Sequence, residues 1–435
     1  FKVYHHIKEY FGGFALFKIS TLSNGIRVVT EKIDYVRSVS AGVWVGAGSA
    51  MENKSNNGVS HFIEHMLFKG TKRRSARDIA EYMDRVGGQL NALTAKEYTC
   101  FYAKTLTEHY DMSFDILADM IVNSTYSEEN ISTERRVIAE EINMCDDSPE
   151  DYIHDCLSRL VWRDEPLGYP IAGTVKSIDG IGRRELLDYR DSLYCGENMV
   201  ISVVGSFDET EALDKLESYF GGIKRHTEAD LGQKRLNVVR DTEIIKKDTE
   251  QCHICMGLEG VSRDDDRIYD LLIINALFGG NMSSRLFQRV REDAGLAYSI
   301  YSFANTYKNN GSWVLYAGLN TESLFDAMKI INEETVRLKH DKLTREEIDV
   351  AKEQMKASVI MGIESMSGRM SSYGRSVLFD NKIRTPEEII AQIESVNTDS
   401  VAETIERVFD IDKLNIAVTG RIENTEEEIA GIMNF

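Results

Sequence analysis

The chain has 435 residues, of which 42% are hydrophobic and 28% charged, and its 71 acidic residues outnumber 51 basic ones to give a net charge of −20. This length predicts two or more domains with sizeable cores. The acidic balance argues against a nucleic-acid-binding protein, and no apolar run approaches the roughly 20 residues that span a bilayer. Six scattered cysteines do not form the pattern of a disulfide framework, so we expect a cytoplasmic protein.

In chain order, we predict strands over residues 26–31 and 39–46, followed by a helix that begins near Gly58 and ends near Gly70. Three polar residues directly before this helix are expected to cap it, namely Ser55, Asn56 and Asn57. Apolar residues recur along the helix at helical spacing and predict a buried face, namely Val59, Phe62, Ile63, Met66 and Leu67.

The same helix carries the sequence His61-Phe62-Ile63-Glu64-His65. Histidines four residues apart lie on one helical face and can bind a single metal ion. Glu64 lies near that face and can take a proton from a metal-bound water. The order H-x-x-E-H is the inverted form of a zinc-protease motif. A histidine pair on a helix can also be purely structural, so the motif alone is a hypothesis.

After the motif, a second helix is predicted over residues 75–86. Ser75 is its expected N-cap, Asp78 follows three residues later, and Gly87-Gly88 ends it. A strand is predicted over residues 99–106.

An acidic helix over residues 134–142 can supply a further metal ligand, because a catalytic zinc usually has three protein ligands and one open position. Three apolar residues are predicted to face a core, namely Val137, Ile138 and Ile142. Glu134 and Glu141 are seven residues, or two turns, apart and share one face. Glu140 points about a quarter turn away. The spacing alone leaves the ligand open.

The chain is predicted to contain an internal duplication. Residues 198–205 and 414–420 both have the composition of buried strands that end in glycine, and these glycines are 215 residues apart. The motif helix has a counterpart over residues 271–280, displaced by 210 residues. In the counterpart the His, Glu and His become Leu271, Ile274 and Asn275, so the second copy lacks metal ligands.

The low-apolar stretch over residues 221–233 is the predicted boundary between the copies. We therefore expect a metal-bearing domain over residues 1–225 and a homologous domain without metal over residues 235–435. Both mix strands with long helices, which predicts an α+β fold class. Each of the two similar domains is expected to be a mainly antiparallel sheet with helices packed on one face.

Cys252-His253-Ile254-Cys255 matches a C-x-x-C pattern, but its flanks predict a strand rather than a metal knuckle. Cysteines at this spacing on a strand point to opposite faces. We therefore expect a structural role for both.

The segment from Ile26 to about Asp151 resembles the pitrilysin-type family of zinc peptidases, and within it the mitochondrial processing peptidase subfamily and its bacterial relatives. The resemblance rests on the glycine-rich lead-in, H-x-x-E-H, the following F-K-G-T, and Glu141, which 75 intervening residues separate from His65. It implies one zinc ion per chain, bound by His61, His65 and Glu141, with Glu64 as the general base. It also implies that Glu134 supports the ligands from behind. Glu140 remains the alternative ligand.

The resemblance also implies substrate-binding residues outside the motif. Arg291 and Tyr298, seven residues apart in the second half, match an Arg–Tyr pair that stabilises the charge developing near the scissile carbonyl. Residues 89–94 match an edge strand to which an extended peptide adds, with Asn91 and Ala92 at the matching positions. Two similar domains around a chamber are implied as well.

These features predict a zinc-dependent endopeptidase for short or unfolded peptides, and the acidic charge favours basic ones. The intact metal set and the Arg–Tyr pair in one chain are typical of the bacterial homodimers, although a sister subunit is an open alternative. Another class is a non-catalytic scaffold of the respiratory-complex type. A third alternative is a partner-dependent subunit of a heteromeric processing peptidase, including one that matures a ribosomally made peptide by removing its leader.

Overall fold

The computed structural model describes residues 17–226 and 234–435. The first sheet has six strands in the order β1-β2-β6-β3-β5-β4. All neighbours are antiparallel except β2 and β6. Its strands are β1 (Phe17–Thr21), β2 (Arg27–Lys32), β3 (Ser38–Val45), β4 (Gln89–Thr94), β5 (Thr99–Leu106) and β6 (Met199–Gly205).

Within the described residues, the second sheet has five strands in the order β7-β11-β8-β10-β9, and β7 with β11 is its only parallel pair. Its strands are β7 (Asp241–Lys246), β8 (Gln251–Glu259), β9 (Ala297–Thr306), β10 (Gly311–Asn320) and β11 (Asn415–Gly420).

The helices lie between and after these strands. In the first half of the chain they are α1 (Val59–Leu67), α2 (Ala76–Asp84), α3 (Tyr110–Asn123), α4 (Glu128–Asp147), α5 (Pro149–Trp162), α6 (Val175–Gly180), α7 (Arg183–Leu193) and α8 (Glu209–Phe220). In the second half they are α9 (Ile268–Phe278), α10 (Leu324–Asp341), α11 (Arg345–Glu364), α12 (Met366–Asp380), α13 (Pro386–Ser395), α14 (Thr398–Val408) and α15 (Glu426–Ile432). None of the helices within the described ranges has the length and apolar composition needed to cross a membrane.

Five strands of the first sheet, all except β1, have the same topology as the second sheet, which supports the predicted duplication. In each, a parallel pair (β2 with β6, β7 with β11) is followed by three antiparallel neighbours. Gly205 and Gly420 end β6 and β11 with nearly the same left-handed backbone, at φ of +139° and +143°. A Cβ at Gly205 would lie 2.2 Å from the Ser38 carbonyl oxygen, so glycine is required at this strand end.

The predicted α+β fold class is confirmed, but helices cover both faces of the first sheet and not one face as expected. On one face, alternate residues of β3 join a core with α1 and α3. On the other, Trp44 packs against Met370, Tyr373 and Val377 of α12. A Cβ at Gly374 would lie 2.0 Å from Trp44 Nε1, so α12 approaches the sheet closely only because this residue is glycine. Burial of both faces explains why seven of the eight β3 residues are buried.

The chain forms two compact units that are not contiguous in sequence. Among the described residues, the first unit contains 17–142, 170–226 and 359–388, and the second contains 143–169, 234–358 and 389–435. The units thus differ from the contiguous halves 1–225 and 235–435 by two exchanged segments. In the second unit, α5 packs on β8 and β11, whereas in the first unit α12 packs on β3 and β6.

The counterpart of the motif helix is α9, and its residues have taken structural roles. Leu271 and Ile274 are fully buried in the core of the second unit. The side-chain oxygen of Asn275 accepts hydrogen bonds from the Ser302 hydroxyl (2.8 Å) and from Trp313 Nε1 (3.0 Å). This copy is therefore a packing element.

The C-x-x-C segment lies on β8, as predicted. Cys252 and Cys255 are both buried, and burial raises the pKa of the Cys252 thiol to about 12. The Cys255 sulfur lies 3.5 Å from Nδ1 of His154, while Cys252 belongs to the hydrophobic core.

Candidate metal centre

Helix α1 presents its polar residues on one face and buries the other. Phe62, Ile63, Met66 and Leu67 are almost completely buried in the core of the first unit, as the apolar spacing predicted. His61, Glu64 and His65 are half-buried on the remaining face. A rigid helix packed on a core holds these side chains in fixed relative positions.

The N-terminus of α1 is capped differently from the prediction. Its N-cap residue is Gly58, which has a left-handed backbone (φ +94°) and no side chain to accept a hydrogen bond. A Cβ there would lie 2.7 Å from the Ala172 carbonyl oxygen, so a larger residue does not fit. The expected capping by the side chains of residues 55–57 is wrong, because the Glu52 carboxylate accepts the hydrogen bonds of the first turn instead.

Helix α4 brings acidic residues to the same place. Along one side of α4 the buried residues include Glu134, Ile138 and Ile142. Val137 was predicted to face the core, but it is 41% exposed. Glu141 is half-buried and Glu140 is exposed. The amphipathic pattern of α4 therefore turns both Glu134 and Glu141 towards α1.

His61, His65 and Glu141 form a group that can hold one metal ion. One potential ligand atom from each residue lies within 4.8 Å of the other two. Among the described residues, these three form the group of His, Cys, Asp or Glu side chains that meets this criterion. The Glu141 carboxylate oxygen is 3.8 Å from Nε2 of His61 and 3.4 Å from Nε2 of His65. Two imidazoles and one carboxylate are a donor set that zinc uses in catalytic sites.

Both histidines are suited to binding through Nε2, but their rings are held differently. The Glu134 carboxylate lies 3.1 Å from Nδ1 of His65, and Lys69 Nζ lies 3.0 Å from the same carboxylate. A partner on Nδ1 orients the ring and leaves Nε2 for a metal. By contrast, Nδ1 of His61 is buried and has no hydrogen-bond partner within the described ranges. Burial, together with the charge of His65, lowers the pKa of His61 to about 4, so its ring is neutral near pH 7.

Glu64 lies beside this group and is positioned by the neighbouring strand. Burial raises the pKa of its carboxyl group above the usual value, while a hydrogen bond from the Thr94 hydroxyl lowers it in part. A carboxylate with a raised pKa is a better proton acceptor than an exposed one. Thr94 ends β4, so the strand and the acidic side chain are directly linked.

Among the strands that the structure describes, β4 is at an edge of its sheet and pairs with β5 alone. Exposure alternates along it, with Asn91 exposed and Ala92 and Thr94 half-buried. The Asn91 side chain accepts a hydrogen bond from the Ala92 N–H (2.8 Å). An open edge has unpaired backbone groups to which an extended peptide can bind.

Arg291 and Tyr298 lie in the second unit. Arg291 belongs to a π-helix (Phe287–Asp293), and its guanidinium carbon lies 4.7 Å from the centre of the Phe287 ring. Tyr298 is at the start of β9 and is 78% exposed. Exposed Arg and Tyr side chains can bind a peptide, so their assignment stays a prediction.

Comparison with known proteins identifies the family. Residues 27–175 match insulinase (peptidase family M16), and residues 180–355 match the peptidase M16 inactive domain. The chain belongs to peptidase family M16. The pitrilysin-type resemblance is therefore confirmed at the level of the family, and the processing-peptidase subfamily stays a prediction.

Relatives of this M16 chain cover almost all of it. It is 42% identical over 394 residues to the uncharacterized zinc protease YmxG of Bacillus subtilis, covering 91% of this chain and 96% of that protein. It is 35% identical to an uncharacterized zinc protease of Streptomyces coelicolor, covering 89% and 86% of the two chains. The crystal structure of a protease from Helicobacter pylori has the same fold, with a TM-score of 0.87, 21% identity, and coverage of 93% and 99%.

Three polar residues around the M16 motif were not predicted from the sequence. Thr94 donates to Glu64, Lys69 contacts Glu134, and Glu52 caps α1. Lys69 lies just after the end of α1, four residues beyond His65, and this short separation in sequence could have suggested its contact with the site. For Thr94 and Glu52 the sequence separation carries no such signal. Their contacts with Glu64 and with the first turn of α1 depend on the tertiary fold.

Proposed function

We propose that this protein is a zinc-dependent endopeptidase that cleaves short or unfolded peptides. The observation that carries the proposal is the convergence of His61, His65 and Glu141, with the Glu64 carboxylate beside them. When bound, zinc would supply an acidified water and an electrophile for the scissile carbonyl. His61 and His65 would bind it through Nε2, and Glu141 through its carboxylate.

The chain's own residues would perform the proton transfers and the positioning. Glu64 accepts the proton of the attacking water and delivers it to the leaving amine. Thr94 orients the Glu64 carboxylate, and the Glu134–Lys69 pair orients His65. Arg291 and Tyr298 are proposed to stabilise the charge that develops on the carbonyl oxygen.

The open edge of β4 supports an extended peptide as substrate. A peptide that adds to this edge gains main-chain hydrogen bonds, which do not depend on its sequence. Asn91 and Ala92 lie on this edge, and Thr94, at its end, contacts Glu64. Folded proteins do not present a free extended segment, so short or unfolded chains are the substrate class that fits.

The test compares the wild type with Glu64→Gln, using zinc content and cleavage of an unstructured peptide as readouts. We expect the variant to keep its zinc and to lose cleavage by at least about 100-fold, the usual contribution of a general base. Glu140→Gln is the control, because Glu140 is exposed on α4 and outside the metal group. Equal cleavage by the wild type and Glu64→Gln would remove Glu64 as the base.

A further inference from the structure

Glu52 is a buried carboxylate with three hydrogen-bond donors around it. It is only 3% exposed. One carboxylate oxygen accepts from the Gly58 N–H (2.7 Å) and from Nδ2 of Asn57 (2.9 Å), and the other accepts from the Ser60 N–H (2.9 Å). The group is thus fully engaged at the first turn of α1.

Glu52 has no cationic partner among the residues that the structure describes. Burying a carboxylate without an ion pair is costly unless strong hydrogen bonds offset the cost. Here two of the three donors are backbone N–H groups at a helix N-terminus, where the helix carries a partial positive charge. The protein therefore retains a buried carboxylate, at a cost in free energy, although this group adds no apolar packing to the hydrophobic core.

The sequence of α1 explains why an acceptor from elsewhere is needed. The first N–H groups of a helix have no partner within the helix, and usually the N-cap side chain accepts from one of them. In α1 the N-cap is Gly58, which its left-handed backbone and the nearby Ala172 carbonyl oxygen restrict to glycine. Glu52, six residues upstream, replaces the missing cap.

The first turn of α1 leads directly to His61. His65 has a second anchor, because Glu134 contacts its Nδ1, whereas His61 Nδ1 has no partner within the described ranges. The location of the His61 ring therefore depends on the backbone of this turn. Tyr189 adds a second restraint there, since its hydroxyl lies 2.8 Å from the Ser60 hydroxyl.

We propose that Glu52 is a positioning residue for the metal centre, which fixes the first turn of α1 and through it the His61 imidazole. This inference rests on the proposed function, in which His61 is a zinc ligand. Glu52 itself lies outside the group of potential metal ligands. Replacing Glu52 should therefore lower the affinity for zinc while the protein stays folded.

The test measures the zinc dissociation constant of Glu52→Gln by competition with a chelator, at a temperature where the protein is folded. The amide keeps the shape of the side chain but presents an NH2 group to one of the two backbone N–H donors. We expect the dissociation constant to rise by about 10- to 100-fold, as for other partners behind metal ligands. Removal of only one donor with Asn57→Ala should raise it less, and this milder variant replaces Glu52→Gln should the latter not fold.

The matched control is Asp270→Asn in α9, the counterpart of α1. Asp270 is also 3% exposed, and its carboxylate accepts a hydrogen bond from the Ser400 hydroxyl (2.6 Å). This control should lower the unfolding temperature and leave zinc affinity unchanged. Unchanged zinc affinity in Glu52→Gln, or an equal loss in both variants, would overturn the inference. A wild type that binds no zinc would instead contradict the proposed function.

Discussion

The two histidines of α1 are one turn apart, yet the protein fixes them by different means. Glu134 and Lys69 hold the His65 ring from behind, whereas the position of His61 follows from the backbone. Glu64 has a third kind of support, a hydroxyl group from a strand. Because these three side chains are held by different contacts, removing each contact should have a different effect on the protein.

Replacing Thr94 by valine should lower kcat without loss of zinc. Valine keeps the shape of threonine but cannot donate to the Glu64 carboxylate, so the base loses its orientation. A hydrogen bond to a charged group contributes about 1.5–3 kcal/mol, which corresponds to a decrease in kcat of about 10-fold or more. Thr94→Ser keeps the hydroxyl and should retain most of the activity. Equal kcat values for the valine and serine variants would contradict this role.

The metal-free protein should lose stability as the pH falls from about 6.5 to about 4. Folded His61 stays neutral until its pKa of about 4, whereas the unfolded chain binds that proton near pH 6.5. The unfolded state thus binds more protons in this window, and the free energy of unfolding falls by up to roughly 3 kcal/mol. Urea denaturation at several pH values measures this, and His61→Leu should lack this component. The same pH dependence in both proteins would exclude His61 as its source.

At the scale of elements, local sequence signals predicted where helices begin and end, but they did not predict contacts between residues from distant parts of the chain. Ser75 and Asp78 form the capping box of α2 as predicted, because capping is decided within four residues. The predicted cap of α1 was wrong, because the acceptor is the Glu52 carboxylate, which lies outside the residues directly before the helix. The same limit applies to α12, whose close approach to β3 depends on Gly374 meeting Trp44.

Gly374→Ala should destabilise the protein by about 1–3 kcal/mol, since the added methyl group overlaps the Trp44 ring in a packed core. Gly362→Ala is the matched control on α11, because no atom lies within 4 Å of the position its Cβ would take. There alanine should be neutral or should stabilise the helix by up to about 1 kcal/mol. Urea denaturation of both variants measures the difference, and similar effects would contradict the packing argument.

At the scale of the whole molecule, the sequence predicted the two related sheets but not the composition of the compact units. Apolar strands that end in glycine identified β6 and β11, because strand burial and glycine backbone are local properties. The exchange of residues 143–169 and 359–388 was missed, because the apolar face of α5 or α12 does not specify which sheet it covers. Helical spacing identified His61, Glu64 and His65 as candidate metal-site residues, whereas the choice of Glu141 as third ligand and of Glu134 as its support came from the family resemblance. The structure brings these residues together within the first unit.

The homodimer that the sequence favours stays a prediction, and it implies complementation between two inactive variants. If the second half of one subunit serves the metal centre of its partner, mixing Glu64→Gln with Arg291→Ala after subunit exchange creates one intact site per mixed dimer. About a quarter of wild-type activity should return with random exchange in a two-fold dimer. Tyr298→Phe in place of Arg291→Ala should behave similarly. No recovery despite exchange, verified by the mass of the mixed species, would contradict a contribution from the partner.

The most direct measurement of the central claim is the location of zinc by anomalous diffraction at the zinc edge, from crystals of the protein grown with zinc. The account predicts one peak per chain, with Nε2 of His61, Nε2 of His65 and a Glu141 carboxylate oxygen each about 2.0–2.2 Å away. Zinc bound through Glu140, or a peak away from both histidines, would contradict it.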